Sequence, residues 1–301
     1  MRERYSMIVG QHKKTPLHGA DNTMQGLTTT FPSGEEHVMA VANPTCEPQA
    51  TQPLSYAEFL AAKIAIAPDT GIAITDDEIH PLLKPHQRAM VQWAVQGGRR
   101  ALFASFGLGK SLCQLEICRL ILKYKSGAAL IVCPLGVRGE FLRDASMIET
   151  PIRFIRTTAE IESTGIHLTN YESVREGKLD PSAFTVISLD EGNVLRGTGG
   201  VKTFRVLMGL FEGRSTYRYV ASATPDPNSY EELLSYAAFL GIMDISMGKT
   251  LFFKRDSVHT DRLTLHKTRE VQFWTWVASW SCFLNLPSDI CSCCAEVSHA
   301  S

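Results

Sequence analysis

The residues most capable of chemistry lie in the run ASFGLGKS, Ala104 to Ser111, and in the pair Asp190-Glu191. Two glycines, Gly107 and Gly109, flank Leu108 and let the backbone curl so that successive N–H groups converge on phosphate oxygens. The lysine that follows, Lys110, can reach β- and γ-phosphates, and the hydroxyl of Ser111 can serve Mg²⁺. This spacing is that of a nucleotide phosphate loop, so Gly107, Leu108, Gly109, Lys110 and Ser111 are its candidate ATP contacts. The second constellation closes the apolar run FTVISLD, where Asp190 can hold Mg²⁺ and Glu191 can polarise an attacking water.

Both groups need a scaffold that delivers them to one edge. The phosphate run follows ALFAS (Ala101 to Ser105) and opens SLCQLEICRLILKY, a strand and then a helix, so the helix dipole adds to the cradle. Further strand-length apolar runs are ALIVC (Ala129 to Cys133), FTVISLD (Phe184 to Asp190) and YRYVASA (Tyr217 to Ala223). Helical stretches separate them: LGVRGEFLRDASM and VKTFRVLMGLF. Strands without clean alternation, each followed by a helix, predict an α/β fold of the P-loop NTPase type, a mostly parallel sheet wrapped on both faces. In such sheets ligands gather at the carboxyl ends of the strands, where the acidic pair would face the phosphate loop.

Upstream, SYAEFLAAKIAI and PHQRAMVQWAVQ (Pro85 to Gln96) have helical periods, the second with proline at a permitted first-turn position. Residues 1–53 are rich in Gly, Pro, Thr and Asn and are expected to be an irregular extension. The ATP-binding domain is expected over 54–257. Residues 258–301 read as a helical segment containing FWTWVASW, leading toward a second domain and ending early in CSCCAEVSHAS.

The order of motifs resembles superfamily 2 helicases, especially the Swi/Snf-like and phage-type DEAD/DEAH-box ATPases, from about Leu54 to Asp256. Ala104, at the first glycine position of the loop, is a substitution that helicase-type loops share. LLKPHQRAMVQWA resembles the glutamine motif, which implies that Gln87 reads the adenine edge. IVCPLGVRGEF resembles motif Ia and implies nucleic-acid contact by Pro134 and neighbours, Arg138 among them. IHLTNYESV resembles motif Ib and implies a similar role for Thr169 and Tyr171. LDEGN resembles motif II, and the Ser222-Ala223-Thr224 of VASATP resembles motif III, which implies that Ser222 and Thr224 link ATP state to nucleic-acid grip. Asn193 departs from the family's His or Asp, at a position that contacts motif III in relatives.

The resemblance implies a RecA-like domain, ATP and Mg²⁺ as ligands, and nucleic acid, DNA foremost, as partner. It also implies a second RecA-like half, encoded elsewhere, that supplies an arginine finger worth roughly 10³–10⁵ in rate. Two other readings stay open: a non-catalytic ATP- and DNA-binding module, and a P-loop kinase of small metabolites. The adjacent carboxylates suit water activation better than the kinase. One stretch, LHGADNTMQGLTTTFPSGEEHVMAVANP, resembles the C-terminal end of a cytosine-5 DNA methyltransferase. It lacks the Pro-Cys nucleophile pair and a cofactor loop, so it implies no methylation.

Composition excludes several classes. A hydrophobic fraction of 44%, a charged fraction of 20% and a net charge of -1 over 301 residues are those of a globular chain without a global basic field. Eight cysteines are too sparse for a disulfide scaffold, and Cys113, Cys118, Cys133 and Cys282 lie in apolar runs as expected of reduced core thiols. Cys291, Cys293 and Cys294 lack a second Cys/His pair at zinc spacing. No signal peptide or membrane-length apolar stretch is present, and the expected location is cytoplasmic.

Overall fold

Both faces of the central sheet are covered, and strand register decides which face each side chain serves. The computed structural model describes residues 66–180, 183–195, 205–208, 217–224, 230–255 and 263–284. The 1–53 extension, nearly all of the SYAEFLAAKIAI helix, most of VKTFRVLMGLF, and Cys291, Cys293 and Cys294 lie outside them.

Helix α1 (Pro85–Gly97) starts on its proline and ends at Gly98, whose φ of 71° takes the left-handed cap. Strand β1 (Arg99–Ala104), α2 (Lys110–Tyr124), β2 (Ala128–Cys133), α3 (Arg138–Met147), β3 (Ile152–Phe154), β4 (Gly165–Asn170), α4 (Tyr171–Arg175), β5 (Val186–Leu189) and β6 (Tyr217–Ser222) follow. Then come α5 (Leu233–Leu240), α6 (Ile245–Phe252), β7 (Phe253–Arg255), β8 (Leu263–Leu265), α7 (Glu270–Trp280) and β9 (Ser281–Leu284). Seven strands form one sheet in the order β3-β4-β2-β5-β6-β1-β9, every pair parallel, while β7 and β8 make a separate antiparallel pair. The α/β, mostly parallel architecture expected from the sequence is therefore present.

Alternate residues of a strand enter different cores. On β2, Ala129, Ile131 and Cys133 pack with α1, α2 and α3, through Met90, Leu115 and Phe141 among others. Ala128, Leu130 and Val132 enter the opposite core with Tyr171, Tyr236, Phe239 and α7. Burial on both sides explains the lack of apolar–polar alternation in the sequence.

The segment after 257 departs from expectation. Ser281–Leu284 does not lead away from the domain; it pairs with Ala101–Ala104 at the sheet edge. Helix α7 passes into this strand without a loop, Ser281 already having extended backbone. With no turn residue between the two periods, a four-residue strand is hidden in the tail of an aromatic helix.

That helix also braces β1. Trp276 stacks on Phe252 at 5.1 Å between ring centroids, Trp280 meets Trp276 edge-on at 5.4 Å, and Trp280 meets Phe103 of β1 at 6.4 Å. All four rings are buried. Cys113, Cys118, Cys133 and Cys282 are buried thiols outside any disulfide. No helix among the described residues is long and apolar enough to cross a membrane.

Truncating the central ring leaves a void that β1 and α6 cannot both fill. Trp276→Ala is expected to lower stability by about 3–5 kcal/mol. Urea unfolding followed by far-ultraviolet circular dichroism checks this, and an unchanged midpoint would show that α7 does not brace the sheet.

Candidate nucleotide site

The phosphate loop spans the gap between β1 and α2. Gly107 and Gly109 have φ of 78° and 75°, the left-handed region that side chains disfavour. At Gly109 space is also lacking, because an added Cβ would lie 2.3 Å from Nε2 of Gln87. Leu108 between them is buried with Ala89, Ala104 and Cys282, so it anchors the loop from below. Lys110 is only 8% exposed. Its Nζ donates to the carbonyls of Ala104 at 3.1 Å and Ser105 at 3.4 Å, and lies 5.2 Å from the centre of the exposed Phe106 ring. Ser111, next on α2, is partly exposed.

The acidic pair stands two strands away, at the end of β5, with β6 between. Asp190 is 5% exposed and held on three sides. Its N–H donates to Val132 O at 2.8 Å, its carbonyl accepts from the Tyr171 hydroxyl at 2.6 Å, and its Oδ1 accepts from Nε2 of Gln114 at 2.8 Å. Burial raises the Asp190 carboxyl to about 6; the Gln114 bond opposes that rise, and Glu191 adds to it. Glu191 has a φ of 52°, a strained backbone for a side-chain-bearing residue. Gly192 then passes so close to β6 that an added Cβ would lie 2.3 Å from Cγ1 of Val220. That close approach fixes where the chain turns.

The two halves share one field. Burial lowers the Lys110 pKa, while Glu191 and then Asp190 raise it. The cation and the two carboxylates thus stand at the same carboxyl edge of the sheet, within reach of one another's field. The donor set fits a polyphosphate with a hard divalent cation. It offers an open loop at Gly107, where an added Cβ meets nothing within 4 Å, a hydroxyl at Ser111, and a buried carboxylate whose charge a cation would stabilise.

Other candidates are placed differently. Gln87 is buried, and both ends of its amide are engaged: Oε1 accepts from Lys84 N at 2.8 Å and Nε2 donates to Leu108 O at 3.1 Å. Instead of standing free toward a base, it ties the start of α1 to the phosphate loop. Thr169 is fully buried and donates to Ile155 O at 2.9 Å, and Tyr171 is buried with its hydroxyl on Asp190. Neither side chain is turned outward as a groove-lining pair would be. Pro134 and Arg138 are partly exposed at the end of β2, and Arg138 lies 4.1 Å over the Phe154 ring. Ser222 is buried at the end of β6 and accepts from Thr224 N at 3.3 Å; Thr224 is exposed. Only the backbone of Asn193 is described.

Sequence reasoning missed Gln114 and Ser188. The available signal was a lone amide on the apolar α2, one turn beyond Lys110 and therefore on the same helix face.

No family model matches this chain, and no curated protein matches it. Its fold is similar to the SWI2/SNF2 ATPase core of Sulfolobus solfataricus in complex with double-stranded DNA, with 19% identity and a TM-score of 0.55 over 71% of this chain and 47% of that one. The SWI2/SNF2 ATPase core domain of the same organism gives 19% identity and 0.55 over 72% and 46%. The chain spans about half the length of each. The likeness is one of fold, a mostly parallel α/β domain of RecA-like type.

Asp190 makes a pH prediction. Its folded pKa lies above the usual 3.8, so the native state binds more protons than the unfolded chain between the two values. With metal chelated, the Asp190 contribution to stability should be greatest below about pH 4 and fall by roughly 3 kcal/mol as pH rises through 6. Asp190→Asn should flatten that fall and raise the melting temperature at neutral pH. Equal pH profiles for variant and parent would show that the carboxylate is not desolvated.

Proposed function

We propose that this chain is the ATP-binding part of a nucleic-acid-dependent ATPase, a DNA helicase or translocase, that hydrolyses ATP to ADP and phosphate. The observation that carries the reading is that the Gly107–Lys110 loop after β1 and the Asp190-Glu191 pair after β5 stand at the same carboxyl edge of a parallel sheet. In this reading Lys110 leaves the carbonyls of Ala104 and Ser105 for the β- and γ-phosphates. The N–H groups of the Gly107–Gly109 turn and the start of α2 take the remaining phosphate oxygens. Ser111 and Asp190 hold Mg²⁺, which when bound neutralises phosphate charge. Glu191, at the mouth beside them, orients the attacking water and accepts its proton.

Gln87 shapes the loop rather than reading adenine. Ser222 and Thr224, beside the acidic pair at the end of β6, are the coupling segment. Pro134 and Arg138 form the nucleic-acid edge, and the relative captured on double-stranded DNA favours DNA. A hydrogen bond to a charged group is worth about 1.5–3 kcal/mol, which sets the scale for losing the lysine.

Lys110→Ala should weaken ATP·Mg²⁺ binding by more than about tenfold in calorimetry. Equal affinities for variant and parent would remove the phosphate-loop assignment. Glu191→Gln should bind ATP·Mg²⁺ like the parent and release no phosphate, because a carboxamide cannot take the proton from water. A parent that binds ATP without turnover, in the presence and absence of DNA, would assign a binding module instead of an ATPase.

A further inference from the structure

Gln114 is 1% exposed, on a stretch of α2 where Leu112, Cys113, Leu115 and Ile117 are all buried in the apolar core. A primary amide in such surroundings destabilises the fold unless its donors and its acceptor are both used. Both are used on one strand. Ser188 Oγ donates to Oε1 of Gln114 at 2.6 Å, and Nε2 of Gln114 donates to Oδ1 of Asp190 at 2.8 Å. Ser188 and Asp190 are two residues apart on the same strand line, so their side chains leave the same face of the sheet. That face also carries Val186, which packs in the α2 core.

The orientation of the amide is chemically forced. An ionised carboxylate only accepts, so the NH₂ end must face Asp190, and the carbonyl end must face the serine proton. With Ser188 as the fixed end, Gln114 holds Oδ1 of Asp190 in place. Resting on the ATP-site reading above, we propose that Gln114, oriented by Ser188, is a positioning residue that sets Asp190 for the divalent cation bound with the nucleotide. It touches neither phosphate nor reacting water, so its effect should enter through the cation alone. Residues that orient a metal ligand from outside the coordination sphere typically change metal affinity 10–100-fold when removed.

The test titrates Mg²⁺ against binding of a fluorescent ATP analogue to the full chain, and repeats the binding in excess chelator. Gln114→Leu should raise the Mg²⁺ concentration at half-saturation by about tenfold or more. Metal-free nucleotide affinity should stay within about twofold, since the phosphate loop is untouched. Ser188→Ala should give a smaller shift in the same direction, and Gln114→Leu/Ser188→Ala should be no worse than Gln114→Leu alone. Should Gln114→Leu fail to fold by circular dichroism, Ser188→Ala carries the test on the same readout. An unchanged Mg²⁺ requirement, or equal losses with and without metal, would overturn the positioning role while leaving the ATP site standing. A parent that binds no nucleotide at any Mg²⁺ concentration would overturn the ATP-site reading and this inference together.

Discussion

Asp190 keeps a carboxylate almost out of water at the open edge of the sheet, and much of the surrounding polar structure answers to that fact. Burial disfavours the charge most and Glu191 adds to that, so the group is pushed up to about 6. Its neighbours are arranged to oppose the penalty without removing it. Gln114 donates one hydrogen bond to the carboxylate, and Lys110 lowers the pKa through the field. Neither is a directly paired ion that would bury the charge permanently. A carboxylate so held is short of positive charge, which under the proposed function suits it to a cation arriving with a nucleotide.

The phosphate loop follows the opposite logic. Its parts are fixed from below and its lysine is held only by neutral groups. Leu108 is sunk between α1 and β9, Gln87 bonds to its carbonyl, and Phe103 of the preceding strand rests on Trp280. The aromatic cluster of α7 therefore serves the loop at one remove, by holding β1 against lateral movement. Lys110, by contrast, contacts two carbonyls and the face of Phe106. A charged phosphate oxygen competes well against neutral acceptors, because it adds ion–ion attraction to a hydrogen bond whose donor is already charged. A rigid frame with one exchangeable cation gives binding without the cost of ordering a loop each time.

The places of the loop, between β1 and α2, and of the acidic pair, after β5, were legible because their information is local. Two glycines beside a lysine, or two carboxylates closing an apolar run, mark a strand end within a few residues. The strands β1, β2, β5 and β6 were legible for the same reason, being apolar runs bounded by turn residues. Strand β9 was not, since α7 runs into it with no breaker. Nor was the inward turn of Thr169 and Tyr171. On β4 four consecutive residues from Ile166 to Thr169 are buried, so no alternation tells which side chains leave the body of the protein. Gln87 was recognisable as a residue of interest, but its bond to Leu108 O depends on the approach of α1 to a loop 21 residues further on.

The inward turn of Tyr171 changes how the edge of the sheet must behave. Strands β4, β2 and β5 are neighbours, and their carboxyl ends carry Asn170, Cys133 and the Asp190 turn side by side. Asn170 caps α4 by accepting from Ser173 N, which fixes the direction in which Tyr171 leaves the strand. The Tyr171 hydroxyl then reaches across to the Asp190 carbonyl, while Val132 of the intervening strand accepts from the Asp190 N–H. The peptide groups on both sides of Asp190 are thus tied to the two strands that lead toward the Pro134–Arg138 edge. A buried hydrogen bond of 2.6 Å has little room to stretch, because the bond weakens steeply and its groups meet no water when it breaks. A displacement of the start of α4 must therefore either move Asp190 with it or leave a buried hydroxyl and a carbonyl unsatisfied. The first costs less, so the position of the carboxylate is set jointly by α2, through Gln114, and by the strand ends that lie toward the exposed edge.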